Sequence, residues 1–511
     1  MVIFMFKSQH SFKQFRAHLI RFLLAYFFNP HFCKTVLLNA SIIFKVFITD
    51  LTPVRDILLH TYNPRGQKPW DPVCLFRSYW LMCQYGDSGS ITKWVNKLKS
   101  EPFWAIISGF NPAEVPGVGT FYDFEDRLCD FDKGQRVERT KKMHKPQPKP
   151  RKKLKKNQKQ PPKHQGIVEK VVSRILRDED KPQPKRADHL LHLIFKECFV
   201  LPSAQKGLLG DTNNLVVSGD GMVFETGASH FGNKDCDCRS KGVFNCSCPR
   251  RFSDPDANWG WDSYREKYVF GYSNYAFTAA DSPHDLPIFS TLAQASRHDS
   301  VSHTYTLYQM KQLYPEFNFS KDILDSAHDN YATYELLDHW NIEPFIDLNE
   351  KNKGNFKYNP PMNVTEEGVP ICEGGFPMVN WGYQKDRCRI KWRCPHICLK
   401  NCECPIFNCS DSDYGRTIYT KPEWDRRVFT PTPRGSQKWK DTMKKRSSSE
   451  RRNSRVREDY NLESDKVRSK SRWLIRIVMR DAAIHADVWV KESDISPKKW
   501  LSTWFDINKV A

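Results

Sequence analysis

"NNLVVSGDGMVF", residues 213–224, is an apolar run with a single carboxylate set into it. Its valines and its apolar residues at Met222 and Phe224 read as a buried strand. Asp220 follows "LVVSG", at or near the end of that strand, where a core gains nothing from a charge. The stretch "KDILDSA", residues 321–327, repeats the arrangement, with Asp325 directly after an apolar run. Either aspartate alone also fits a turn or a helix cap. Two of them, each closing a strand, raise the question of what they share.

Working outward from these strands gives a mixed α/β pattern after residue 188. "KYVFGYSNYAFTAA" (267–280), "LPIFSTLAQA" (286–295) and "IEPFIDLN" (342–349) read as strands, and "SHTYTLYQMKQLY" (302–314) and "YATYELLDHW" (331–340) as helices. A Cys- and Pro-rich insertion spans about 350–440, and "WLIRIVMRDAAIHADVWV" (473–490) is an apolar helix. Before the sheet, residues 51–130 are helical, with "CLFRSYWLMCQY" (74–85) and "SITKWVNKLKSEPFWAIISGF" (90–110) as the clearest runs and Ser90 and Thr120 as N-caps. Between them lies a Lys-, Pro- and Gln-rich stretch too polar to bury a core. It reads either as a solvated linker or as one that also grips phosphate. The expected organisation is a separate all-α N-terminal domain (1–132), a basic linker (133–187), an α/β core (188–490) with the insertion, and a tail (491–511).

The chain has 511 residues and a formal net charge of +20. That surplus creates a long-range positive field suited to nucleic acid or an anionic surface. A membrane span is not expected, because "FLLAYFFNPHFC" (22–33) lies between Arg21 and Lys34 and is broken at Asn29-Pro30, short of the about 20 apolar residues a span needs. Residues 1–50 read instead as amphipathic helices that pack on another part of the protein, without a signal-peptide pattern. A cytosolic chain would keep its 16 cysteines reduced, so cysteine clusters point to metal. "CDCRSKGVFNCSC" sets Cys236, Cys238, Cys246 and Cys248 at C-x-C-x7-C-x-C, a set that could close a tetrahedral zinc site or remain four reduced thiols. A second group, Cys388, Cys394, Cys398, Cys402, Cys404 and Cys409 with His396, offers too many candidates to choose four ligands. Trp381 and Trp392 in the insertion are either core residues or platforms for an unpaired base. Asp254 and Asp256 flank Pro255 as turn formers.

"KKRSSSERRNSRVRED", residues 444–459, holds Glu450 inside a run of seven lysines and arginines. On a continuous helix Arg446, Glu450, Ser454 and Arg457 share one face. The plain alternative is a basic surface helix with an ordinary ion pair. The spacing Arg446-x3-Glu450-x6-Arg457 resembles the signature around the last catalytic carboxylate of bacterial insertion-sequence DDE transposases, with Met443 at its tyrosine position and Arg457 at its lysine position. "SGDG" with Asp220 and "ILDSAHDN" with Asp325 resemble the first two acidic motifs, and residues 65–128 are similar to the helical domain that precedes the core in that family. The resemblance implies a ribonuclease-H-like core in which Asp220, Asp325 and Glu450 hold two Mg²⁺ (or Mn²⁺) ions for DNA strand cleavage and transfer. It implies Arg446 and Arg457 as contacts to DNA phosphates, element ends with terminal inverted repeats as partners, a homodimer pairing those ends, and a cytoplasmic, nucleoid-associated protein. Asp329 and Glu225 are rival carboxylates, Asp329 reading more simply as the cap of the helix from Tyr331. Two other functions fit the same residues: a zinc-containing DNA binder that no longer cuts, and a structure-selective nuclease that cuts without joining.

Overall fold

The computed structural model describes residues 6–129 except 64, 87 and 88, then 140–141, 165–350 except 182–184 and 249, 360–399, 404–406 and 409–505. Most of the expected basic linker, Cys402 of the second cysteine group and the end of the tail lie outside the described residues.

The fold is mixed α/β, with one mixed sheet. Its strands are β1 (Leu215–Glu225), β2 (Asn258–Asp262), β3 (Lys267–Ala279), β4 (Pro287–Gln294), β5 (Phe319–Leu324) and β6 (Glu343–Ile346). β3 pairs antiparallel with β1 along one edge, and with β2 and β4 in succession along the other. On the far side of β1, β5 and then β6 are added in parallel. Parallel neighbours need a crossover, supplied here by the helices Asp299–Leu313 and Tyr331–His339. β1 is central and covered on both faces, which is why its sequence is apolar without a clean alternation. It runs eleven residues, because β3 pairs with it as far as Glu225. Asp220 therefore lies in the middle of a long strand, not at the end of a short one; Asp325 does follow its strand directly.

The N-terminal region is all helical, but its core is continuous with that of the sheet. One buried cluster runs from Phe6 to Phe505 and includes residues of the helices Pro72–Tyr85 and Val118–Leu128, of β1, β3 and β4, and of the helix Lys470–Lys491. That last helix joins the two regions. Its buried Arg476 donates to the Gly89 carbonyl at 2.8 Å and stands over the Tyr79 ring, and Arg472 pairs with Glu125 at 2.8 Å. Ser90 caps Ile91–Ser100 by accepting from the Lys93 N–H, whereas Val118–Leu128 begins after Gly117, so Thr120 sits inside its first turn. The expected tail contains a helix, Pro497–Ser502, whose Trp500 packs on Phe44 and Phe47, so the third N-terminal helix, Ala40–Ile48, packs here. Within the expected linker, Ile167–Asp178 is a helix that buries Val172 and Ile175. Among the described residues no single helix is long and apolar enough to cross a membrane; one pair, Pro30–Leu38 and Ala40–Ile48, passes by length and composition only when joined across a 67° bend.

The insertion forms its own antiparallel sheet of β7 (Val379–Gln384), β8 (Arg389–Arg393) and β9 (Thr417–Thr420). Met378, Ile390, Trp392, Val428 and Phe429 make a core under one face. Its exit is tied back to the main sheet: Tyr331 donates to Asp425 at 2.8 Å and Arg427 pairs with Asp329 at 3.3 Å.

Candidate functional site

Asp220 points to the face of the sheet crossed by the helix Ser447–Ser454. On the same face of β1, Ser218 bonds the Ser449 hydroxyl at 3.0 Å and donates to the Arg446 carbonyl at 3.1 Å. The Thr278 and Ser448 hydroxyls meet at 2.8 Å, and Arg452 reaches Asn274 at 2.7 Å. Small hydroxyl residues let this polar helix lie close to the strands, and the buried Arg452 is held by Asp481, also buried, at 2.6 Å. In the same setting the Asn453 amide donates to Asp220 at 2.9 Å.

Both glycines of "SGDG" are required by close neighbours on the opposite face. A Cβ at Gly219 would stand 2.5 Å from the Tyr275 hydroxyl, and one at Gly221 would stand 2.3 Å from an Asp299 carboxylate oxygen. Gly219 and Gly221 thus let an aromatic ring and a second carboxylate come down on the strand beside Asp220. The β1–β5 register pairs Ser218 with Ile323; continued by two residues, it sets Asp325 level with Asp220. Asp220, Asp299 and Asp325 accordingly act on one another. Burial, then the charges of Asp299 and Asp325, push the Asp220 carboxyl up to about 7, against hydrogen bonds from Gly221 and Asn453. Burial also raises Asp299. Burial would raise Asp325 too, but the bonded His328, the Ala327 N–H and Arg446 outweigh it and hold Asp325 below its ordinary value. His328 is buried between Asp325, at 2.6 Å from Nδ1, and the Tyr275 hydroxyl, at 3.0 Å from Nε2.

Glu450 is placed differently. It is exposed (48 % of the side chain), and it pairs with Arg446 at 2.8 Å. Its partner Arg446 also acts by its charge on Asp325, and Asn453, which donates to Asp220, stands three residues further along the same helix. The segment 444–459 is helical throughout but is not a regular α-helix. A tight turn at Lys444–Arg446 leads into Ser447–Ser454, and a wide turn follows at Arg455–Asp459. The wide turn breaks the 3.6-residue repeat that would put Arg457 on the face of Glu450. Arg457 instead donates to the Val223 carbonyl at 2.8 Å beside Glu463 and Asp262, with 16 % of its side chain accessible, so it braces β1 where the sequence suggested a phosphate contact.

The rival acids are occupied elsewhere. Asp329 is buried and takes the Asn349 N–H at 2.9 Å as well as Arg427; the cap of Tyr331–His339 is Asn330. Glu225 is exposed and paired with Lys267. Asp254 is a buried anchor that accepts from Thr226 and from the Ser469 N–H. Three residues at the carboxylate site escape sequence reasoning: Asp299, His328 and Asn453. Asp299 carries the only legible signal, an acid in the first turn of a helix, and that signal is generic.

The four cysteines of the C-x-C-x7-C-x-C loop form a second centre, next to the short strands Asn233–Lys234 and Arg250–Arg251. Their sulfurs all lie within 4.8 Å of one another, with Cys236–Cys246 and Cys238–Cys248 each at 3.5 Å. A tetrahedron of Zn–S bonds of about 2.3 Å has edges of about 3.8 Å, so these four can bind a metal such as zinc. Among the described residues this is the one group of three or more His, Cys, Asp or Glu with ligand atoms so close together. Asp220, Asp325 and Glu450 do not form such a group as they stand. No protein-family model matches the chain, and comparison with curated proteins gives no match.

Proposed function

We propose that the protein is a DNA transposase of the DDE type, with a ribonuclease-H-like core that cleaves and joins DNA strands. The observation that carries this reading is the pairing of Asp220, at the centre of the middle strand, with Asp325, at the end of its parallel neighbour. A central strand antiparallel to β3 and parallel to β5 supports the ribonuclease-H-like reading. Two carboxylates set level on adjacent strands, one with its carboxyl raised to about 7 by burial and by its neighbours' charges, form a site that a divalent cation would relieve. Asp220 and Asp325 offer the hard oxygen ligands that Mg²⁺ or Mn²⁺ prefers. When bound there, such an ion supplies Lewis-acid stabilisation of the attacking and leaving oxygens of a phosphodiester.

The chain's own residues do the rest. His328 holds Asp325 through a hydrogen bond, and Asn453 holds Asp220. Glu450 is assigned as the third carboxylate and Arg446, its partner at 2.8 Å, as a contact to a DNA phosphate. DNA is the partner implied by the net charge of +20 and by the basic segment 444–457. Pairing two element ends would take a homodimer, and the protein would act on the nucleoid in the cytoplasm.

The test is strand joining. Purified protein is incubated with Mg²⁺, a DNA fragment carrying the sequences that flank its coding region, and a target plasmid. Cleavage at inverted repeats with joining to the plasmid supports the transposase. Cutting without joining indicates a nuclease, and a mobility shift without cutting indicates a binder.

A further inference from the structure

We propose that the insertion holds a second structural zinc ion, bound by Cys372, Cys394, Cys404 and Cys409. The insertion has little else to fasten its outer part. Its buried core is Met378, Ile390, Trp392, Val428 and Phe429, all within or beside the three strands and the exit segment. Between β8 and β9, the described residues from 396 to 416 bury no side chain, and their one regular element is the short helix Pro395–Leu399. A unit with so little apolar burial needs a metal or disulfides to close it, and every described cysteine is a free thiol.

Three separate stretches bring these four thiols together. Cys372 opens a tight turn, its N–H donating to the Phe376 carbonyl and its carbonyl accepting from the Gly375 N–H, both at 2.9 Å. Cys404 comes down on that turn, since a Cβ at Gly374 would stand 3.2 Å from its sulfur. Cys394, directly after β8, is buried and donates its N–H to the Arg416 carbonyl at 2.9 Å. The Arg416 side chain in turn reaches Glu373, beside Cys372, at 3.4 Å. Burial, then the charges of Cys394, Cys404, Glu373 and Cys372, raises the Cys409 thiol, so the other three ligands lie within its reach. Cys388 is set apart: it is exposed in a left-handed turn after β7, and its thiol bonds the Lys385 carbonyl at 3.6 Å. Cys398 lies one helical turn beyond Cys394, on Pro395–Leu399.

No three of the four sulfurs lie within 4.8 Å of one another, as those of the first loop do. Cys404 and Cys409 sit among mostly exposed neighbours and can close the distance at little packing cost, while backbone bonds hold Cys372 and Cys394. Soft thiolates select zinc over the hard cations that suit the carboxylate site. Binding releases the four thiol protons and leaves the centre with a net charge of about −2, next to Arg416. Closing the insertion in this way also steadies its exit, where Arg427 and Asp425 hold Asp329 and Tyr331. The inference stands on the insertion alone and does not rest on the proposed DNA chemistry.

The test is the metal content of the full chain purified without chelator. Elemental analysis finds about two zinc ions per wild-type chain, one for each set of four thiols. The double variant Cys236→Ser, Cys246→Ser keeps about one, and cobalt loaded in its place absorbs as a tetrahedral thiolate centre. That variant leaves the insertion untouched, so misfolding of the insertion cannot imitate the result. The double variant Cys372→Ser, Cys409→Ser also keeps about one zinc, and combining the two pairs of changes leaves none. Cys388→Ser and Cys398→Ser each retain the wild-type content. A first-loop double variant without zinc or a cobalt thiolate signal, an unchanged zinc content in Cys372→Ser, Cys409→Ser protein, or loss of zinc from Cys388→Ser or Cys398→Ser would overturn the proposal.

Discussion

The Asn453 amide donates to the Asp220 carboxylate at 2.9 Å, so the polar helix Ser447–Ser454 is fastened to the acid at the centre of the sheet. Even so, Asp220 remains costly to ionise. Its carboxyl titrates at about 7 in the folded protein, against an ordinary value of 3.8. Below pH 3.8 it is protonated in folded and unfolded chains alike. As pH rises towards 7 the unfolded chain loses the proton first, so this group's contribution to stability falls across that window. Asp220→Asn removes the burden. In chelator, its melting temperature should exceed the wild type's, by more at pH 8 than at pH 5. A variant that melts lower at pH 8, or a difference independent of pH, would contradict the crowding of carboxylates around Asp220.

Arg452 and Arg451 are neighbours in sequence with opposite settings. Arg452 is fully buried and bound to the buried Asp481, whereas Arg451 is exposed and pairs with Asp285 at the surface. Removing one partner of a buried pair strands the other charge, so Arg452→Ala should destabilise by about 3–5 kcal/mol. Arg451→Ala should cost about 0–1 kcal/mol. Urea denaturation of the two variants reads the difference directly, and similar midpoints would rule out this packing of the helix Ser447–Ser454.

For the cysteine loop, protein purified without chelator should carry zinc, and the double replacement Cys236→Ser, Cys246→Ser should release one equivalent per chain. Elemental analysis decides between a metal centre and four reduced thiols. An unchanged zinc content in the double variant excludes this loop as the site.

The strands and helices of the sheet were readable because their apolar runs are long and bounded by turns; β1, β3, β4 and the helices that follow lie where the hydrophobic pattern puts them. Local periodicity alone does not distinguish a regular α-helix from one that changes pitch. The segment 444–459 scans as one helix, yet the wide turn at Arg455–Asp459 moves Arg457 off the shared face. The polar stretch between two patterned regions reads as a boundary after a separate N-terminal domain; the contact of Arg476 with Glu125, which joins the helix Lys470–Lys491 to that region, is visible only in the tertiary structure. Asp299 and His328 come to the site from a helix start and a short turn, and neither carries a mark in sequence that separates it from an ordinary cap or a core histidine.

The most direct measurement of the central claim is Mg²⁺-dependent cleavage by carboxylate variants whose DNA binding is measured in parallel. Asp220→Asn and Asp325→Asn keep side-chain size but lose the charge that would hold the ion. Cleavage should fall by about 10³-fold or more in each, with the double variant scarcely worse, because groups acting as one unit are strongly non-additive. Glu450→Gln should behave in the same way, while DNA binding by all of them stays near the wild type's. Were Glu450 only balancing charge on its helix, the substitution would cost about 0.2–0.5 kcal/mol of stability and leave cleavage intact. Wild-type cleavage rates in Asp220→Asn or Asp325→Asn protein would contradict the assignment of these strands as the catalytic centre.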